Sequence, residues 1–184
     1  MATASVLDLY RRAGTHTATI MAGVRPEQLT APTPCATWTV QDLVDHLVGG
    51  THYLLAATTG AQSGEPPTRS TTDRFAAGFA AVLDAVAQPA ATRRRCLSPL
   101  GFEWSVGEAL AGTFMDVLVH GWDLATATSQ DPRLDPDLVQ ACWDMFIPDM
   151  PERGRGAGLI GPEVAVPADA PLQDRLLGVM GRHP

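Results

Sequence analysis

The sequence predicts an all-α protein: a four-helix bundle followed by shorter helices and an irregular tail. Four long segments carry apolar residues at the spacing of an amphipathic helix. Stretches rich in Gly, Pro and Ser separate these segments. Four amphipathic helices of this length pack well as a bundle, and a crossover connection remains open.

Length and composition indicate a single globular unit. The chain has 184 residues, of which 45% are apolar, so it can bury a sizeable core. We expect one domain over residues 1–184, with the bundle at about 4–129 and a C-terminal extension at about 130–184. No apolar run reaches the length of a membrane span, and a net charge of −7 disfavours nucleic-acid binding. We therefore expect a soluble protein with neither a membrane nor a nucleic-acid partner.

The cysteines and the N-terminus predict the cellular compartment. Cys35, Cys96 and Cys142 are far apart and show neither zinc-finger nor redox spacing, so we expect thiols that pack in the interior. The N-terminus lacks the charged region and apolar core of a secretory signal. A reducing cytoplasm is therefore the predicted location.

The first two helices are predicted at residues 4–24 and 40–59, on either side of a proline-rich link. Thr39 and Asp42 form a variant of the capping box at the start of the second helix. His16 lies just off the apolar face of the first helix, so we expect it at the surface or its boundary.

The second helix carries two histidines. His46 lies at the edge of the apolar face, where it is either a satisfied core histidine or a group that reaches into the bundle interior. His52 lies about 240° round the helix from His46, so the pair cannot hold one ion on a straight helix.

The third helix follows a Gly-, Ser- and Pro-rich loop at residues 60–71. Thr72 or Asp73 is its predicted cap, and Pro89 ends it. Residues 90–104 are predicted to form a longer connection to the fourth helix.

The fourth helix is predicted at residues 105–128, and the capping box of Ser105 and Glu108 starts it. A shorter fifth helix begins after the cap Asp135. After a stretch rich in Gly and Pro, a short helix at residues 171–180 ends the chain.

One polar stripe interrupts the apolar surface of the fourth helix. At about 100° per residue, Asp116, His120 and Asp123 lie on one face. A helix that is apolar nearly all round is usually buried, and a buried charge must be paired or bound to a metal ion. The stripe is therefore either an Asp–His hydrogen bond that supports the core, or a metal or catalytic site.

Two segments resemble the DinB/YfiT-like superfamily: PTPCATWTVQDLVDHL at residues 32–47 and DVLVHGWDL at residues 116–124. Within it, they are similar to the branch that contains the N-terminal domain of mycothiol-dependent maleylpyruvate isomerase. The tail at residues 158–176 looks like that of a subgroup of largely uncharacterised metal-binding proteins. The resemblance spans nearly the whole chain and implies a DinB-like four-helix bundle that holds one divalent ion.

The resemblance also implies the ligands of that ion. A histidine of the second helix corresponds to His46, and a carboxylate and a histidine of the fourth correspond to Asp116 and His120. Relatives often have Glu where this chain has Asp116, so the reach here is one methylene shorter. The chain lacks the second domain that contributes to catalysis in the isomerase, so we do not expect the isomerase activity itself.

Such a site predicts metal-dependent chemistry. Two imidazoles and one carboxylate suit zinc, with nickel or iron as alternatives, and three protein ligands leave a coordination position open. The bound thiolate or water would be the nucleophile. The resemblance suggests mycothiol as the guest, so the expected activity is a metal-dependent thiol S-transferase that acts on an electrophilic small molecule.

Two alternatives keep the same site. One is a non-catalytic module that binds a metal or senses a small ligand, and the other is a metal-dependent hydrolase. Trp38, Tyr53 and Trp122 are candidates for the pocket wall or for core packing. Asp123 is expected either to accept a hydrogen bond from a ligand imidazole or to pair with an arginine of a neighbouring helix. The sequence leaves a homodimer open.

Overall fold

Four long α-helices form the bundle that the sequence predicts, and three shorter helices follow within the described part of the extension. The computed structural model describes residues 4–35, 37–60, 71–147 and 149–184. The bundle helices are α1 (Val6–Ala22), α2 (Val40–Thr59), α3 (Thr71–Val86) and α4 (Val106–Ala127). The extension contains α5 (Pro136–Phe146), α6 (Met150–Gly156) and α7 (Leu172–Val179).

Reciprocal hydrogen bonds fix the starts of α2 and α4 where the sequence predicts them. The Asp42 backbone N–H donates to Thr39 Oγ1, and the Thr39 backbone N–H donates to the Asp42 carboxylate. Ser105 and Glu108 form the same pair at α4. These contacts satisfy backbone donors that a helix leaves free at its N-terminus, so both capping boxes are confirmed.

Helix α3 begins earlier than predicted. Thr71 is already helical, so neither Thr72 nor Asp73 is its cap. Asp73 lies in the first turn, where its carboxylate is favourable near the positive end of the helix dipole. The predicted loop before α3 falls largely on residues 61–70, which lie outside the described residues.

Helices α1 and α4 approach closely at Gly121. A Cβ atom at this position would lie 2.5 Å from Thr17 Oγ1. The Thr17 hydroxyl donates to the carbonyl of Val117 at 3.1 Å, which ties the two helices together. The apolar faces of the bundle meet in one core, and its fully buried members include Tyr10, Leu43, Leu54, Phe75, Phe114 and Leu118.

An antiparallel hairpin, which the sequence analysis does not predict, lies in the long connection before α4. Strand β1 (Arg95–Leu97) pairs with β2 (Glu103–Ser105), and Cys96 lies opposite Trp104. Strands this short do not give an alternating pattern that can be detected in a sequence. Strand β2 leads directly into α4, because Ser105 ends the strand and caps the helix.

The C-terminal extension packs on the bundle. Helix α6 was not predicted, because Gly154 and Gly156 lower the helix propensity of that stretch. Helix α7 agrees with the prediction, and its Leu176 and Leu177 are fully buried in the common core. No α-helix in the described part of the chain combines the length and the apolar character needed to cross a bilayer.

Candidate metal centre

Three side chains converge between α2 and α4. His46 Nε2 lies 3.1 and 3.0 Å from the two oxygens of Asp116, and His120 Nε2 lies 3.4 Å from Asp116 Oδ1. The imidazole rings meet nearly edge to face, with centroids 4.9 Å apart and planes at 75°. One potential ligand atom from each residue lies within 4.8 Å of the others. The structure therefore brings together the three residues that the sequence analysis selects as ligands.

This cluster lies at the edge of the core. The His120 side chain is 10% exposed, whereas those of His46 and Asp116 are 37% and 32% exposed. The four-residue spacing within α4 places Asp116 and His120 on one face, and α2 supplies the third group from the opposite side. The core thus holds the cluster on one side, while the other side is open to solvent.

The charges of the cluster depend on one another. Burial disfavours ionised Asp116, but His120 and His46 outweigh this effect and hold the pKa of the carboxyl well below its usual value. Burial also opposes protonation of His120, whereas Asp116 and Asp123 raise its pKa to about 9. The carboxylate therefore keeps a proton on the adjacent imidazole, and a divalent ion would take the place of that proton.

The donor set fits a divalent ion of borderline softness. Two imidazole nitrogens and one carboxylate oxygen are ligands that zinc accepts, and imidazole also suits nickel and iron. Three protein ligands leave at least one coordination position open, as in catalytic zinc sites. The residues present therefore fit the kind of ion that the sequence analysis expects.

Asp123 contacts both an imidazole and an arginine, the two alternatives that the sequence leaves open. Its Oδ2 atom accepts a hydrogen bond from His120 Nδ1 at 2.8 Å, which leaves Nε2 directed towards Asp116. It also accepts two hydrogen bonds from Arg182, at 3.1 and 2.7 Å. Burial opposes ionisation of Asp123, but these partners keep its pKa below the usual value. The arginine comes from the end of the chain and not from a neighbouring helix.

The three aromatic candidates lie in three different places. Trp38 is half-buried and stacks on His120, with centroids 5.5 Å apart and planes at 22°, and its ring lies 4.8 Å from that of His46. Tyr53 lies against the β-hairpin and borders a separate cavity of about 320 Å³. Trp122 is buried in the core. Trp38 is thus the candidate that borders the cluster.

Two residues of this region were not selected from the sequence. Cys35 is half-buried, and its sulfur lies within 4.8 Å of potential ligand atoms of His120 and Asp123. Burial raises the pKa of the Cys35 thiol, although the nearby Arg182 guanidinium favours the thiolate. Cys35 could have been selected from the sequence, because it lies shortly before Trp38 in the first motif. Arg182 could not, because 59 residues separate it from Asp123.

Known proteins resemble this chain over most of its length. The family model described as Mycothiol maleylpyruvate isomerase N-terminal domain matches residues 10–125, which contain all three residues of the His/Asp/His cluster. Two uncharacterized proteins, from two strains of Mycobacterium tuberculosis, are each 33% identical to the chain over 183 residues. These alignments cover 94% of this chain and 95% of each relative. No solved structure shows a significant match.

Proposed function

This chain belongs to the family of the mycothiol maleylpyruvate isomerase N-terminal domain, and we propose that it is a metal-dependent thiol S-transferase. In this proposal His46, Asp116 and His120 hold one divalent ion, with zinc preferred over nickel or iron. Mycothiol or a related small thiol is then joined to an electrophilic small molecule. The observation that carries the proposal is the convergence of the three donor atoms at a partly open edge of the bundle.

The chemistry of the side chains at the site suggests a separate role for each of them. A bound ion would lower the pKa of a thiol in its open coordination position, so that the nucleophilic thiolate is present at neutral pH. Asp116 supplies negative charge beside the two imidazoles, and Asp123 orients the His120 ring through Nδ1. Trp38 covers one side of the cluster, keeps water from that side and offers a flat apolar surface to an electrophile.

The proposed transfer makes few demands on the rest of the protein. The thiol sulfur forms a bond to an electrophilic carbon, the thiol proton passes to solvent, and the leaving group departs with its bonding electron pair. Hydrolysis would call for a further general base to activate water. The two carboxylates at the site already have partners: Asp116 contacts imidazoles, and Asp123 contacts both an imidazole and Arg182. This pairing favours thiol transfer over hydrolysis.

Metal analysis of the purified protein tests the site. We expect about one divalent ion per chain, by the count of three ligands per ion. The ion should be lost in His46→Ala and His120→Ala, because each removes one ligand, and retained in His52→Ala. His52 is a matched control, since it lies on α2 but outside the cluster. A wild type that stays metal-free after supplementation with zinc, nickel and iron would contradict the proposal.

Turnover assays test the reaction. Mycothiol and other small thiols are incubated with a chlorinated nitroarene, and released chloride and the aryl thioether are measured. We expect conjugation that requires the ion and is lost in His46→Ala. A metal-loaded protein with no turnover for any thiol would instead indicate a non-catalytic sensing module. Release of a hydrolysed electrophile without a thioether would indicate a hydrolase.

A further inference from the structure

The last residues of the chain hold a buried guanidinium in the bundle. Arg182 follows α7 and is 8% exposed. Its backbone N–H donates to the carbonyl of Leu177 at 2.9 Å, and its Nη1 atom donates to the carbonyl of Met180 at 2.7 Å. Gly181 adopts a φ of +80°, which favours glycine, and permits the turn that sends Arg182 inward. The tail is therefore folded so that this side chain reaches the interior.

The guanidinium meets the metal centre through one carboxylate. Arg182 Nε and Nη2 donate to the two oxygens of Asp123, which is itself fully buried. One of these oxygens also accepts the hydrogen bond from His120 Nδ1. The opposite ring nitrogen of His120 faces Asp116. A continuous series of contacts thus runs from the C-terminal tail to a predicted metal ligand.

The paired hydrogen bonds from Arg182 fix the orientation of the Asp123 carboxylate as well as balancing its charge. A guanidinium that donates from two nitrogens to both oxygens of a carboxylate sets the plane of that carboxylate, which a lysine ammonium cannot do. The plane of Asp123 in turn sets the direction from which it can accept the His120 Nδ1 proton. Groups that orient a ligand imidazole in this way affect metal affinity although they do not touch the ion.

We propose that Arg182 is a positioning residue of the metal centre, and that docking of the C-terminal tail is coupled to metal binding through Asp123 and His120. This inference rests on the proposed metal site. Arg182 lies beyond residues 10–125 that the family model matches, so the extension contributes to a centre whose ligands all belong to the matched segment. An ion on the open side and the tail on the buried side thus stabilise the same orientation of one imidazole.

The test compares Arg182→Met and Arg182→Lys with the control Arg155→Met. Arg155 also lies in the extension and donates to the carbonyl of Val179 in α7 at 3.0 Å, but its carboxylate partner is Glu163 and not Asp123. Zinc affinity is measured by competition with a coloured chelator. In the metal-free proteins, NMR follows hydrogen exchange of the His120 Nδ1 proton, and circular dichroism checks folding.

We expect Arg182→Met to bind zinc on the order of tenfold more weakly and to exchange the His120 proton faster. Arg182→Lys should fold and show a smaller loss, whereas Arg155→Met should match the wild type in both measurements. If the two Arg182 variants fold and keep wild-type zinc affinity and wild-type exchange of the His120 proton, the inference is wrong. It is also wrong if neither variant folds, because Arg182 would then have a purely structural role. If the wild type binds none of zinc, nickel and iron, the proposed function and the coupling to metal both fail, and the exchange measurement decides whether Arg182 orients His120.

Discussion

His120 joins two hydrogen-bond networks through its two ring nitrogens. Nε2 lies 3.4 Å from Asp116, which also contacts His46, while Nδ1 donates to Asp123. The spacing of the motif predicts that both carboxylates share a face of α4 with this histidine. It does not predict which nitrogen meets which carboxylate, because the ring orientation also depends on two residues outside α4: Trp38, which stacks on His120, and Arg182, which holds Asp123.

At Asp116, the length of the side chain can be separated from its charge. Asp116→Glu keeps the carboxylate and lengthens its reach by one methylene, so we expect one ion per chain with affinity close to that of the wild type. Asp116→Asn removes the negative charge of the cluster. It should weaken zinc binding by more than the roughly 10- to 100-fold typical of changes outside the ligand set.

A chelator competition titration measures both Asp116 variants, with His52→Ala as the control. If Asp116→Asn binds zinc as tightly as the wild type, the carboxylate only supports the two imidazoles. Asp116 would then not be a ligand of the ion.

Among the helices, the boundaries that could be predicted are those with local chemistry. Thr39 and Ser105 begin α2 and α4 because each side chain and its partner three residues later satisfy the backbone of the same turn. Helix α6 and the hairpin were not predicted because each is stabilised by non-local contacts: α6 by the extension around it, where Arg155 reaches Val179, and each strand by its partner. Local signals are thus informative only where the stabilising contacts are local.

Two glycine substitutions test how closely the helices must pack. Gly121→Ala would place a methyl group 2.5 Å from Thr17 Oγ1, so either α1 and α4 separate or the Thr17 hydroxyl turns away and loses its hydrogen bond to Val117. We expect a loss of about 1–3 kcal/mol in the free energy of unfolding. Gly49→Ala on α2 meets nothing within 4 Å, and should add about 0.5–1 kcal/mol through helix propensity.

Urea unfolding followed by circular dichroism compares the two glycine variants with the wild type. The opposite signs are the informative result, because propensity alone predicts a gain at both positions. A gain at Gly121 would show that α1 and α4 can move apart without cost.

On the scale of the whole molecule, the extension is tied to the bundle at its two ends. Near its start, Arg12 of α1 pairs with Asp135 and Asp137 at the beginning of α5. Near its end, Leu176 and Leu177 enter the core and Arg182 reaches Asp123. The ion pairs of Arg12 are half exposed and that of Arg182 is buried, so we expect the two ends to differ in their contribution to the free energy of unfolding.

The pair of Arg12 and Asp135 predicts a pH dependence. Burial opposes ionisation of Asp135, but Arg12 and the backbone of α5 keep its pKa below the usual value. The stabilisation is therefore complete above the unfolded-state pKa of about 4 and is lost as the pH falls through the folded-state pKa. Both side chains are 41% exposed, so it should amount to less than about 1 kcal/mol.

Urea unfolding of the wild type and Arg12→Met, from pH 7 down to about pH 2, measures this contribution. The difference between the two proteins should be largest near neutral pH and should vanish in acid. A difference that is independent of pH would mean that Arg12 stabilises the protein by packing alone.

The amino-acid pattern is enough to predict the helical bundle, the starts of α2 and α4, and the face of α4 that carries polar groups. Each of these follows from spacing within one helix or from contacts within one turn. The folded structure was needed to show that Trp38 stacks on His120, that Tyr53 lies at the hairpin, and that Arg182 contacts Asp123. Such contacts join residues far apart in the chain, and no periodic signal relates them, because the path of the folded backbone alone brings them together.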